Sequence, residues 1–366
     1  MKKLSVILSL ALILSLLAGC AGTPVVYYTD CTCPVEAHEA PAVAEPVIPL
    51  PEVNEGPAAV GSALKTGLAI VAGAGESKAA TAEEAGEAKY DVTIVSVLVA
   101  DNGVINACTI DSLGTSVAFD ASGVITSDLT APVQTKNELG ENYGMVAWGG
   151  AIAEWDAQAA ALASYAVGKT VEELKTGAVN ESGYAADADL ASSATIYLGG
   201  YVSAIEAAVA NAQHLGAQAG DELRMAVIPG VKSSASADGE NAGLAQLDVD
   251  VTALSLNGET ITSCVIDSLQ AKVNFDATGA VTSDVAAGFQ TKNQLGENYG
   301  MVAWGGAIAE WNQQAASFAA YVTGKTAAEV AGIAVDEGTK PTDADLVSSV
   351  TIAVGGFQAL IAKAAQ

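Results

Sequence analysis

The sequence predicts an α+β protein of two tandem repeat domains, each a small antiparallel sheet packed with helices. Three observations predict it. Residues 134–155, QTKNELGENYGMVAWGGAIAEW, return at 290–311 with one change, Glu138 to Gln294, at a constant offset of 156 residues. Within each copy, strand signals come first and helical periodicity second, an order that lays helices on an antiparallel sheet. A chain of 366 residues also has room for two domains of ordinary size.

The repeat extends beyond that stretch. GLAIVAG at 67–73 matches RMAVIPG at 224–230, and Ile105-Asn106-Ala107-Cys108 matches Ile261-Thr262-Ser263-Cys264. The expected domains are 62–213 and 219–366, with residues 215–221 as the joint. Residues 92–99 and 249–256 are β-branched runs ended by Asn-Gly turn signals, and second runs at 104–110 and 260–266 complete hairpins. Residues 117–125 and 273–281 read as tighter hairpins, with Gly123 and Gly279 supplying positive φ.

Helices follow. In residues 151–167, Ile152, Trp155, Ala159, Leu162 and Ala166 recur at helical spacing, as do Ile308, Trp311, Ala315, Phe318 and Val322 in the second copy. Gly168 and Gly324 mark the helix ends. Thr170 with Glu173, and Thr326 with Glu329, read as capping boxes. A final long helix is expected from about Asp187 to Ala212, and from about Asp343 to Ala364. Gly199-Gly200 and Gly355-Gly356 would then lie inside it, where close packing of another backbone or clearance for a ligand would explain them.

Composition narrows the partners. With 42 acidic and 15 basic residues the formal charge is −27, which disfavours nucleic acid and anionic membrane surfaces. Two histidines, His38 and His214, and the lack of HExxH, GxSxG and P-loop patterns leave no hydrolase constellation. No metal is expected. The acidic pair Asp187 and Asp189 is the nearest approach to a calcium loop, but it lacks the glycine and bidentate glutamate. Cys31 and Cys33 form a CxC pair without a second ligand pair, while Cys108 and Cys264 read as buried thiols.

The start, MKKLSVILSLALILSLLAGC, has two lysines, an apolar run and small residues before a cysteine, the pattern of a signal peptide over 1–19. Leu17-Ala18-Gly19-Cys20 resembles the lipobox of bacterial lipoproteins. The resemblance implies cleavage before Cys20, lipidation of Cys20 and an extracytoplasmic place in a bacterial cell envelope, anchored to the membrane. Residues 20–61 form an acidic linker; residues 21–61 hold seven of the ten prolines and no lysine or arginine. At about 3.1 Å per residue this linker would reach on the order of 100 Å, and no fixed structure is expected there.

Asp189-Leu190-Ala191-Ser192-Ser193-Ala194-Thr195 recurs as Asp345-Leu346-Val347-Ser348-Ser349-Val350-Thr351. It resembles the D-x-x-S-G-A-T motif of the FMN-binding domain family, with Asp189, Ser192, Thr195 and Asp345, Ser348, Thr351 at the matching positions. The family glycine is Ser193 and Ser349 here. The resemblance implies FMN joined through its phosphate to Thr195 and Thr351, extracellular electron transfer, and a flavin transferase and a membrane redox donor as partners. A phosphoester in the first turn of a helix would lie among free amides at the positive end of the dipole. The other reading is a capped helix start with serine and threonine in its first turns.

In the repeated stretch, Lys136, Tyr143 and Trp148, with Lys292, Tyr299 and Trp304, form a second candidate surface. The rings would stack on a planar ligand and the lysine would meet its negative charge, or the loop folds onto its own aromatic residues. Trp155 and Trp311 read as core anchors. Two functions from different classes follow: a flavin-carrying electron-transfer lipoprotein, or a non-catalytic surface lipoprotein that binds a small ligand, an envelope polymer or a protein partner.

Overall fold

A computed structural model describes residues 56–366. The signal peptide, Cys20, the CxC pair and most of the linker lie outside the described residues. The last linker residues do not match the expectation of no fixed structure. Gly61 donates its amide to the Ala219 carbonyl at 2.8 Å, and Ala58 packs beside a small buried cluster.

The first repeat builds three strands, β1 (Lys65–Gly73), β2 (Gly86–Val99) and β3 (Ile105–Phe119), in an antiparallel sheet of order β1-β2-β3. Helices α1 (Lys136–Leu139), α2 (Met145–Gly149), α3 (Trp155–Ala166), α4 (Val171–Gly177), α5 (Ala188–Ala191) and α6 (Gly199–Ala210) follow. The second repeat returns the same series: β4 (Glu222–Gly230), β5 (Gly243–Asn257) and β6 (Thr260–Phe275), then α7 (Lys292–Leu295), α8 (Met301–Gly305), α9 (Trp311–Val322), α10 (Ala327–Ala331), α11 (Ala344–Val347) and α12 (Gly355–Ala364). Each repeat is therefore a small antiparallel sheet with helices, the α+β class that the order of signals predicts.

Strand periodicity sorts the side chains to two faces. In β2, Ala88, Tyr90, Val92 and Ile94 point one way, and Val95, Val97 and Val99 the other. The odd-numbered face meets α3 and α6. The even-numbered face meets not helices but the second sheet: Leu247, Val249, Val251, Leu269 and Val273 share its core. The second sheet covers its outer face in the same way, with Leu254 and Ile266 against Trp311 and Phe318. The layers run helices, sheet, sheet, helices.

Contacts across the central interface are reciprocal. Phe119 and Phe275 stack with ring centroids 4.0 Å apart. Ala80 donates its amide to the Gly279 carbonyl, and Ala237 to the Gly123 carbonyl, both at 2.8 Å. The tighter hairpins thus have their positive-φ glycines, with φ of +69° at Gly123 and +70° at Gly279, but their return arms make only one bridge each, Phe119 to Ile125 and Phe275 to Val281. Their tips serve to clasp the other repeat. The joint is folded in as well: Ala217 and Ala219 are buried beside Leu64, Leu98 and Leu223.

Two helix expectations change. The helix expected over 151–167 begins at Trp155, so Ile152 and Ile308 stand exposed, whereas Trp155, Ala159, Leu162 and Ala166 are buried as the spacing implies. The expected final helix is two, α5 and α6, with Thr195 in the connection between them. Gly199-Gly200 opens α6 rather than interrupting a helix. Gly199 donates to the Gly183 carbonyl at 3.0 Å, the close backbone approach that its missing side chain allows. The capping boxes at Thr170 and Thr326 form as expected.

Candidate functional site

The repeated stretch folds the same way twice, and most of its identity has a local cause. Thr135 caps α1 in a capping box with Glu138, and Thr291 caps α7 with Gln294. Asn137 Nδ2 donates to the Ile110 carbonyl at 2.9 Å and Asn293 Nδ2 to Ile266 at 2.9 Å, which pins each loop to its sheet. Lys136 Nζ lies 5.2 Å from the Tyr143 ring centroid and 5.1 Å from that of Trp155; Lys292 sits likewise on Tyr299 and Trp311. A cation over two ring faces is satisfied electrostatically inside its own repeat. Gly144 and Gly150 take φ of +81° and +64°, which a side chain would oppose. The Glu154 carboxylate accepts from the amides of Met145 at 2.8 Å and Val146 at 3.0 Å, neutralising the start of α2; Glu310 repeats this at Met301 and Val302.

Trp148 is the exception. Its indole is 92% exposed, and that of Trp304 is 91% exposed. Each ring edge rests on the preceding glycine: a Cβ at Gly144 would lie 2.5 Å from Trp148 Cδ1. None of the described residues buries either indole. Exposed Val146 and Ile152, and Val302 and Ile308, flank the two tryptophans in sequence.

The Ser-Ser-x-Thr segment is arranged differently from a phosphate cradle. Asp187, not Asp189, caps α5, accepting from the amides of Asp189 and Leu190. Ser192 Oγ donates to the Asp189 carbonyl at 2.7 Å, and Ser348 Oγ to Asp345 at 3.1 Å. The amides of Thr195 and Ile196 both donate to Gln158 Oε1, at 2.8 and 3.2 Å, and the Thr195 hydroxyl donates to the same oxygen at 3.3 Å. Gln158 is fully buried and anchored through Nε2 to the Ala153 carbonyl. Gln314 holds Thr351 in the same way. An FMN phosphate on Thr195 would need those amides and a helix start beside it. The amides belong to a glutamine, and the next helix begins four residues later. The residues present do not fit the group.

The two candidate walls are both seated on α3. Lys136 covers Trp155, and Gln158, one turn on, holds Thr195. Among the described residues no hydrogen bond joins 136–148 to 189–195.

The sequence reading passed over several groups that the fold places centrally. Gln158, Gln314, Glu154 and Glu310 are polar residues on helices, without a distinguishing signal except identity between copies. Asp111 and Asp267 had one: a carboxylate inside the apolar runs ACTID and SCVID. Both are buried, accepting from the amides of Ser112 and Asn137, and of Ser268 and Asn293. Burial raises the Asp111 carboxyl above its ordinary range and pushes that of Asp267 up to about 6, against the hydroxyl and amide donors that favour the charged form. Cys264 is buried and Cys108 partly so; both are free thiols that burial pushes up to about 12.

The single change within the repeated stretch also has a partner. Glu138 pairs with Lys363 of α12, across the repeats. Where Gln294 replaces Glu138, the residue equivalent to Lys363 is Ala207. The equivalent pair carries neither the charge nor its countercharge.

Comparison with known protein families, with curated proteins and with solved structures finds no match.

Proposed function

We propose that this chain is a lipid-tethered envelope protein that binds a neutral envelope glycan, without catalysis, through Trp148 and Trp304. The observation that carries the reading is the near-complete exposure of two equivalent indoles on loops otherwise tied down by caps, glycines and a carboxylate. An indole held in water by a rigid loop offers a flat apolar face with an N–H at its edge. Sugar rings present a C–H face of similar size beside hydroxyls. Each tip is far smaller than the roughly 800 Å² per partner of a stable protein interface, so protein docking is less well matched. A polymer with a repeating unit suits two copies of one tip, and the formal charge of −27 favours a neutral one.

Binding of the mature protein to isolated envelope glycan, followed by co-sedimentation and tryptophan quenching, tests this. Trp148→Ala or Trp304→Ala alone should weaken binding about 10- to 100-fold, since one linked contact is lost. The double variant should not bind. Undiminished binding by the double variant would refute the reading. A visible flavin spectrum from protein purified from its host, lost in Thr195→Ala with Thr351→Ala, would instead restore the electron-transfer alternative.

A further inference from the structure

The two sheets leave a cleft along each pair of neighbouring edge strands, β1 beside β6 and β4 beside β3. The frames are equivalent and the linings are not. The β4–β3 cleft is lined by Asp111, Glu138, Arg224 and Lys363, and Lys363 crosses it to the Val227 carbonyl and Glu138. The β1–β6 cleft holds a hollow of about 420 Å³ with no charged side chain in its own lining; an adjoining hollow shares Asn211, Gln213, Val265 and Asn293 with it and adds the buried Asp267, the counterpart of Asp111.

We propose that the β1–β6 cleft is a second binding site, for a neutral, hydroxyl-bearing small molecule of monosaccharide size. Three observations carry it. The polar lining consists of carboxamides and hydroxyls, among them Thr66, Asn211, Gln213, Asn312 and Thr323. A carboxamide both donates and accepts, as a sugar hydroxyl does; no cation lines the hollow to neutralise an anionic ligand, and Asp267 next to it disfavours one. The second observation is an orphan: Asn312 Oδ1 has no hydrogen-bond partner and no accessible surface. A buried acceptor left unpaired costs about 1–3 kcal/mol, which a turn of the Asn312 side chain toward a donating ligand in the hollow would relieve. The third is shape. Leu215, Val265, Ala316 and Ala320 add an apolar wall, and the volume falls within the usual range for small-molecule sites, roughly 300–1,000 Å³. The first copy has Asp156 at the position of Asn312, so the feature is particular to this side.

The site is separate from Trp148 and Trp304 and does not depend on the glycan reading. The test uses the mature chain with N-acetylglucosamine and glucose as neutral probes and glucuronate as the charged control, followed by amide chemical shifts and calorimetry. The expected result is saturable binding of at least one neutral sugar with Kd of roughly 10 mM or tighter, and no saturation by glucuronate. Ala320→Phe, which fills the hollow from an exposed helix position, and Asn312→Leu should each weaken binding at least about tenfold, or 1.4 kcal/mol. Both variants should keep the parent's circular dichroism and melting profile. Lys363→Ala in the opposite cleft should leave binding unchanged. No saturation by either neutral sugar, equal binding of glucuronate, or full binding by a folded Ala320→Phe variant would each overturn the proposal.

Discussion

Asp267 shows how one buried side chain ties the loop to the sheet and sets a pH dependence. Its carboxyl accepts from Ser268 and Asn293, the residue after Lys292, so it fixes where the repeated loop docks against β6. Burial nevertheless favours the neutral form, with the folded pKa at about 6 against an ordinary value of 3.8. The sign follows from proton counting. Between about pH 4 and 6 the unfolded chain has released this proton and the native chain still holds it, so stability falls as pH rises through that window. Above it the loss is constant; below it there is none. Asp267→Asn keeps an acceptor oxygen and removes the charge. It should raise stability at pH 7.5 by about 1–3 kcal/mol and remove this aspartate's part of the slope between pH 4 and 6, read by urea unfolding across pH. A variant whose destabilisation grows as pH rises from about 4 to 7.5 would show that the charged form is needed. The same position illustrates what a sequence conceals. Trp155 was readable as a core anchor because aromatic bulk at helical spacing has few other uses. Ile152 had the same spacing and is exposed, because the segment before Trp155 is held by Glu154 and by Gln158 on Ala153, outside any helix.

The break between α5 and α6 is the clearest case of tertiary contact overriding local preference. Residues 187–212 are rich in alanine and carry no proline, so local propensity favours one helix. Two partners from elsewhere in the chain take the backbone instead. Gln158 receives the amides of Thr195 and Ile196, and the Gly183 carbonyl receives those of Leu198 and Gly199. The second copy uses Gln314 and Thr339, with Thr339 at φ +59° where the first has glycine. Fifteen or more residues of sequence separate each partner from the amides it receives, which is why the pattern alone could not reveal the break, and why the flavin-like motif was legible while its surroundings were not. Gln158→Ala would leave two amides without their acceptor. It should cost about 1–3 kcal/mol, and hydrogen exchange should accelerate at Thr195 and Ile196 ahead of β2. A loss below about 0.3 kcal/mol would mean that the connection holds without the glutamine, and that Thr195 is free for other chemistry.

The duplication was fully legible, but the way the two copies combine was not. A run such as TIVSVLV at 93–99 is apolar on both faces, which signals a strand covered on both sides. The helices of its own repeat account for one face only. The other is covered by the second sheet, through Tyr90, whose hydroxyl donates to the Ala245 carbonyl at 2.8 Å, through the Phe119–Phe275 stack, and through the exchanged clasps at Gly123 and Gly279. Sequence identity between copies says nothing about this interface, because a repeat that stood alone and a repeat that was half of a core would look equally duplicated. The structure makes an energetic distinction between them. An isolated first repeat, residues 62–213, would expose Leu68, Ile70, Tyr90, Val92, Ile94, Leu113 and Phe119 together. At about 25 cal/mol per Å² of apolar surface, that face represents a large fraction of the 5–15 kcal/mol by which domains are ordinarily stable. The fragment should therefore bind a hydrophobic dye, give poorly dispersed amide spectra, or pair with a second copy of itself so that Phe119 stacks on Phe119. Mixing it with residues 219–366 should restore a folded one-to-one complex. A dispersed, monomeric, dye-silent fragment would show that the sheets meet without depending on each other, and that the tandem domains are independent after all.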